Sequence, residues 1–162
     1  MTTTLFWVCL AIVFYTYLGY GIVLYLLVLV KRLFTKAKPQ ADIPDECLPA
    51  VTLMICAYNE EEIIKDKMKN TAQLDYPKDK LRLMWVTDGS TDSTNDLLAE
   101  YEDVKVVFSP ERRGKAAALK HGIKEVDTEI VIMTDANTMI NAEAIREIVR
   151  RMQEPKLGCG PG

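Results

Sequence analysis

Hydrophobic and polar positions divide the chain into two regimes. From Leu5 to Val30, 26 consecutive residues carry no charge, whereas beyond Pro49 short apolar runs alternate with stretches of helical period. A helix as long as the first run reaches about 39 Å, more than the roughly 30 Å hydrocarbon core of a bilayer. A signal peptide has a positive leader and a shorter apolar region of about 7–15 residues. Here no Lys or Arg precedes the run, and the run is too long. The pattern predicts a transmembrane helix, with a buried core helix as the competing expectation. Tyr15, Tyr17, Tyr20 and Tyr25 lie inside the run rather than at its rim, which suggests a face packed against other protein. Lys31, Arg32, Lys36 and Lys38 follow directly. Positive flanks stay cytoplasmic, so the N-terminus is expected outside and the rest of the chain inside, on a single span of the cell's inner (plasma) membrane. Residues 1–36 thus read as an anchor with a basic cytoplasmic flank. Residues 37–49, with Pro39, Pro44 and Pro49, read as a linker, and residues 50–162 as the soluble part.

Within that part the periodicity alternates. Val51 to Ala57 is a short apolar run and reads as a buried strand. Asn59 with Glu62 three residues later resembles a capping box, opening a helix whose inner face is Ile64, Met68 and Ala72. Leu81 to Thr87 is a second strand, and Asp88 to Asp92 a turn and helix cap. Leu97, Leu98 and Tyr101 give the next helix its apolar face. Val104 to Phe108 is a third strand. Arg112-Arg113-Gly114-Lys115 opens an Ala-rich helix with Ala116, Leu119 and Ile123 inward. Glu129 to Thr134 is a fourth strand, read as buried. Asn141 caps a last helix with the stripe Ile145, Ile148, Val149 and Met152, and Leu157 to Gly160 begins a further element. Strand and helix in alternation predict an α/β fold: a mainly parallel sheet with helices on both faces. In such sheets ligands bind outside the carboxyl ends of the strands.

Composition narrows the function. A net charge of −3 offers no footprint for nucleic acid. Four scattered cysteines, none in a C-x-x-C pair, argue against metal ligation or a disulfide framework. Neither G-x-G-x-x-G nor G-x-x-x-x-G-K-[ST] is present, which disfavours a dinucleotide dehydrogenase and a P-loop NTPase.

The polar residues cluster after the strands instead. Tyr58 could stack on a base. Glu60 could accept a hydrogen bond or simply favour a helix N-terminus. Asp88 suits an imide or amide N–H of a base, and Lys115 beside Gly114 could reach a diphosphate. Asp135 and Asn137 offer hard oxygens to ribose hydroxyls and to Mg²⁺ or Mn²⁺. Duller roles compete: caps for Asn59, Ser90 and Asn141, a cap or turn for Asp92, solvated charges for Glu61 and Glu62, surface charges for Arg112 and Arg113, and a structural place for His121.

The order I-C-A-Y-N-E-E, V-T-D-G-S-T-D, R-R-G-K-A-A-A-L-K-H-G-I, I-M-T-D-A-N resembles the inverting family 2 glycosyltransferases of GT-A fold, over about residues 50–162. The resemblance implies a Rossmann-like nucleotide-binding half that takes a nucleotide sugar, UDP-sugars being favoured. It implies a glycan or lipid-linked acceptor, as in the membrane-bound branch that builds polysaccharides or glycolipids. It implies nucleotide-sugar contacts at Ala57, Tyr58, Glu60, Asp88, Lys115, Asp135 and Ala136, and metal ligation by Asp135 and Asn137. Asn137 departs from the D-x-D pattern, keeping an oxygen but losing a charge. The family's catalytic base is expected beyond Gly162, so the chain reads as the donor-binding part of a longer enzyme, inactive alone. A sheet left incomplete would expose an edge, and self-association is expected. A non-catalytic membrane-anchored binding module is the alternative. A nucleotidyltransferase would carry a Gly-rich basic loop where A-Y-N-E stands, and a methyltransferase a glycine loop.

Overall fold

The computed structural model describes residues 1–34 and 42–153, which divide into two compact units with their boundary between Ala41 and Asp42. Lys36, Lys38, the first part of the expected linker and the segment Leu157 to Gly160 lie outside the described residues.

The first unit is one helical rod: α1 (Thr2–Phe14), a π-helical turn (Tyr15–Gly19) and α2 (Tyr20–Phe34). The π turn coincides with two local features. Thr16 Oγ1 donates back to the Ile12 carbonyl at 2.7 Å, and a Cβ on Gly19 would come within 3.0 Å of the Tyr15 ring. None of the described residues in this rod is buried. Its stretch Thr2–Lys31 is long and apolar enough to cross a membrane.

Among the described residues the second unit is built on four strands: β1 (Val51–Ala57), β2 (Leu81–Asp88), β3 (Val104–Ser109) and β4 (Ile130–Asp135). They pair in parallel in the order β3-β2-β1-β4. Helices α3 (Ile64–Ala72), α4 (Thr94–Ala99), α5 (Lys115–Ile123) and α6 (Ala144–Met152) connect or follow them. Alternation along β1 sorts its side chains onto two faces. Leu53 and Ile55 join Ile64, Trp85, Leu98, Ile145 and Val149 in one core, under α3, α4 and α6. Met54 joins Met84, Val86, Val107 and Ala118 in the other, under α5.

Two helix faces differ from expectation. On α5 the buried residues are Ala118 and Gly122, while Ala116 and Ile123 are exposed and Leu119 is half-buried. The cause is close approach: a Cβ on Gly122 would lie 2.5 Å from Met54 Sδ and 2.7 Å from Val86 Cγ2. On α3 the buried face is Ile64, Lys67 and Thr71, with Met68 half-buried and Ala72 exposed. Here a polar partner draws a lysine inward, as described below. β4, expected to be buried, is only half-covered, because among the described residues it forms an edge of the sheet.

Residues 42–49 fold onto the second unit. Lys80 Nζ donates to the carbonyls of Asp45, Glu46 and Leu48 at 2.8–2.9 Å, and Tyr76 Oη to that of Pro49 at 2.6 Å. Arg146 pairs with Asp45 and Asp75, and Arg150 with Asp42.

Candidate functional site

Strand register brings the carboxyl ends together. Cys56 of β1 pairs with Asp135 of β4, and Ala57 of β1 with Thr87 of β2, one residue before Asp88. A cleft of about 270 Å³ opens there, lined by Ala57, Tyr58, Glu60, Asp88, Lys115, Asp135 and Asn137 among others. Seven residues singled out from sequence therefore share one wall. Ala136 does not join them: it is 1 % exposed, and its N–H donates to the Cys56 carbonyl at 3.3 Å. A larger cavity of about 900 Å³ lies at the opposite, amino ends, around Leu81, Arg82 and Val104. Sheets of this kind bind ligands at carboxyl ends, which favours the smaller cleft.

The loop after β1 is fastened to the loop after β2. Asn59 adopts φ +53°, accepts the Thr91 N–H at 2.8 Å and donates to Thr91 Oγ1 at 3.3 Å. The Glu60 N–H donates to Thr94 Oγ1 at 2.9 Å, and the Asn59 N–H to Ser90 Oγ at 3.2 Å. The Glu61 N–H donates to Asp92 at 3.2 Å, while the Glu61 carboxylate accepts the Ser93 N–H at 2.9 Å. Asn59 and Ser90 are therefore not helix caps: both lock the two loops, and α3 starts only at Ile64. Glu61, expected to be a merely solvated charge, belongs to the same lock. Asp92 does serve the turn, accepting the Thr94 N–H at 3.1 Å. Asn141 supplies only its carbonyl, to the Ala144 N–H, and α6 has no side-chain cap.

Asp88 is buried, at 6 % exposure. Its two carboxylate oxygens accept the N–H groups of Arg113 at 2.9 Å and Gly114 at 2.7 Å. It thereby latches the loop that opens α5. Gly89, at φ +66°, permits the approach, since a Cβ there would lie 2.5 Å from the Arg112 nitrogen. Each carboxylate oxygen can accept more than one hydrogen bond, so the latch leaves acceptor capacity for a ligand.

Three charged groups complete the cleft. Lys115 Nζ donates to Asp135 Oδ1 at 2.7 Å. That hydrogen bond, with the Asp135 charge, holds the ammonium above the usual lysine range. The Arg112 guanidinium stacks on the Tyr58 ring at 3.9 Å, covering an aromatic face. Arg112 had read as a surface charge; its only signal in the sequence is its place beside Gly114-Lys115. Cys56 also lines the cleft, and was missed. Burial pushes its thiol upward in pKa, while the Lys115 cation opposes the shift. His121 lies exposed on α5, outside the cleft lining.

For a divalent ion the donor set is lean. Among the described residues no three His, Cys, Asp or Glu side chains converge. Asp135 and Asn137 nevertheless present a carboxylate and an amide oxygen at an exposed turn. That suits Mg²⁺ or Mn²⁺, which take one or two carboxylates and draw further ligands from substrate phosphates and water.

Comparison with known proteins gives one family. The model of glycosyl transferase family 2 matches residues 52–160. Poly-beta-1,6-N-acetyl-D-glucosamine synthase of Staphylococcus aureus (strain COL) is 33 % identical over 129 residues, covering 77 % of this chain and 30 % of that protein. The synthase of that name from Staphylococcus epidermidis is 33 % identical over 116 residues, covering 69 % and 28 %. Among solved structures, the mannosyltransferase PcManGT of Pyrobaculum calidifontis, in complex with GDP-Man and Mn²⁺, superposes with a TM-score of 0.71. It is 32 % identical, over 86 % of this chain and 42 % of that one. S. aureus TarS 1-349, in complex with UDP-GlcNAc, gives a TM-score of 0.60 at 24 % identity, over 65 % and 31 %, a likeness of fold alone. The chain thus spans about a third of the length of the curated relatives it matches.

Proposed function

Because the chain belongs to glycosyl transferase family 2 and has the GT-A nucleotide-binding fold, we propose that its carboxyl-end cleft holds a nucleotide-sugar donor, with a UDP-sugar favoured. The sugar goes to a glycan or lipid-linked acceptor at the cytoplasmic face of the membrane. The observation that carries this reading is the convergence of Tyr58, Glu60, Asp88, Lys115, Asp135 and Asn137 on one cleft.

The roles follow from chemistry and place. Tyr58 offers an aromatic face to the base, and Arg112 is the group a base must displace from that face. Asp88 accepts a base N–H with the capacity left over from its latch. Lys115 is within reach of the diphosphate because it already meets Asp135. Asp135 and Asn137 hold the ribose and a divalent ion. When bound, Mg²⁺ or Mn²⁺ stabilises the charge of the leaving diphosphate. The relatives support this scheme: one is a synthase of an N-acetylglucosamine polymer, and another binds GDP-Man with Mn²⁺. The basic residues Lys31 and Arg32, in the last turn of the apolar helix, support a cytoplasmic cleft.

Calorimetric titration of the whole chain in detergent, with UDP and GDP and with or without Mn²⁺, tests the reading. Binding that Mn²⁺ strengthens, tighter for UDP than for GDP, is expected. Absence of nucleotide binding by a folded sample refutes it.

A further inference from the structure

Lysine is almost never fully buried unless paired, yet Lys67 of α3 is 0 % exposed. Its ammonium donates to the backbone carbonyl of Thr138, the residue after Asn137. Nearly one turn further along α3, Asn70 makes a reciprocal pair with Ile140. Nδ2 donates to the Ile140 carbonyl at 2.8 Å, and Oδ1 accepts the Ile140 N–H at 3.0 Å. Three hydrogen bonds thus run from one helix to the backbone of the turn that carries Asp135 and Asn137. The other end of that turn is tied to β1, through the Ala136 N–H and the Cys56 carbonyl. Burial pushes the Lys67 ammonium below its ordinary pKa, and the nearby charge of Asp135 opposes the shift. A methionine would fill the same space without desolvating a charge. Filling space therefore does not explain a lysine here, whereas a donor aimed at the turn does.

We propose that Lys67 and Asn70 are positioning residues for the donor site, holding the turn from Asp135 to Ile140 so that Asp135 and Asn137 present their oxygens together to the metal and the nucleotide sugar. The inference rests on the function proposed above. It adds that the site's geometry is set from α3, by residues that touch neither donor nor metal.

Two measurements on the whole chain in detergent, comparing wild type with Lys67→Met and Asn70→Ala, test it. The first is amide hydrogen exchange without ligand, which reads the turn itself. In each variant the hydrogen-bonded amides of the turn, Ala136, Thr138 and Ile140, are expected to exchange about 10-fold faster or more, while β1 and β2 keep their protection. The second is UDP titration with and without Mn²⁺. Groups that orient metal ligands contribute about 10–100-fold to metal affinity, so the gain in UDP affinity given by Mn²⁺ should fall about 10-fold while metal-free affinity stays within about twofold. Asn70→Ala keeps the test open if Lys67→Met does not fold. Unchanged exchange across the turn in both variants overturns the proposal. So does a Mn²⁺-dependent gain that survives in both, the result expected of a lysine that merely fills space. A wild-type chain that binds no UDP overturns the proposed function and this inference with it, and one that binds UDP without any Mn²⁺-dependent gain overturns this inference. A wild-type gain that persists in the variants overturns the inference alone.

Discussion

Replacing the Asp88 carboxylate by an amide, Asp88→Asn, tests how the cleft is held together. The carboxylate is buried and accepts two N–H groups, from Arg113 at 2.9 Å and Gly114 at 2.7 Å. The substitution preserves size and leaves one oxygen. That oxygen can keep one bond, which changes from charge-assisted to neutral. Bonds to charged groups contribute about 1.5–3 kcal/mol and neutral ones about 0.5–1.5, so this exchange costs about 1 kcal/mol. At the other position the new amide turns an N–H toward a backbone N–H. An unsatisfied buried donor costs about 1–3 kcal/mol, and the pair sums to roughly 2–4 kcal/mol. The lower end applies if the loop relaxes outward, which the exposure of Arg113 allows. With a urea slope of about 2 kcal/mol/M, the unfolding midpoint should fall by roughly 1–2 M. Trp85 reports it, being fully buried in the sheet. A Trp7→Phe background leaves it as the lone tryptophan, since the chain has two. The released loop carries Arg112 and Lys115, so UDP binding should weaken together with stability. The reasoning is refuted if the midpoint moves by less than about 0.3 M and the Arg113 and Gly114 amides exchange as in wild type. Loss of UDP binding without either change would mean that Asp88 meets the base and latches nothing.

Four further outcomes follow from the geometry. Gly122→Ala places a Cβ 2.5 Å from Met54 Sδ and 2.7 Å from Val86 Cγ2. Overpacking of about 1–3 kcal/mol, less about 1 kcal/mol of helix propensity, leaves a net loss of about 0–2 kcal/mol, and Gly122→Val should lose more in a thermal melt. The Tyr76 hydroxyl, raised to about 12 by burial, contributes stability that is complete below its ordinary value of about 10 and lost as pH rises from about 10 to 12; urea midpoints across that range should fall in wild type and fall less in Tyr76→Phe. The Lys115–Asp135 pair is exposed, so Lys115→Met should leave the melting temperature unchanged, while calorimetry shows UDP binding with Mn²⁺ weakened about 10-fold or more. In a variant retaining Cys47 as its sole cysteine, the exposed thiol should react with a membrane-impermeant maleimide in inverted vesicles and not in intact cells.

What the sequence makes legible depends on where a residue's partner lies. β1 reads correctly from Val51 to Ala57 because its signal is its own unbroken apolar run. Tyr58, Asp88 and Asp135 line one cleft because a parallel alternating topology places every strand's carboxyl end on one edge, so they can be grouped without knowing a single contact. The errors occur where a distant partner outbids a local rule. Asn59 followed by Glu62 satisfies the local pattern of a helix start, yet Asn59 bonds to Thr91 in another loop and takes a left-handed conformation. A short apolar run is the same signal for a central strand and an edge strand, so β4 reads as buried when Met133 is 45 % exposed. Helical periodicity on α5 favours Leu119 and Ile123 because they are large, but the closeness of Met54 and Val86 gives the buried positions to the small residues Ala118 and Gly122. Lys67 shows the limit most sharply. A lysine is almost never fully buried unless paired, and here the partner is one carbonyl 71 residues away. A fold can therefore be read from residues that obey their neighbours, whereas the loops around this cleft are fastened by residues, Asn59 and Lys67 among them, that do not.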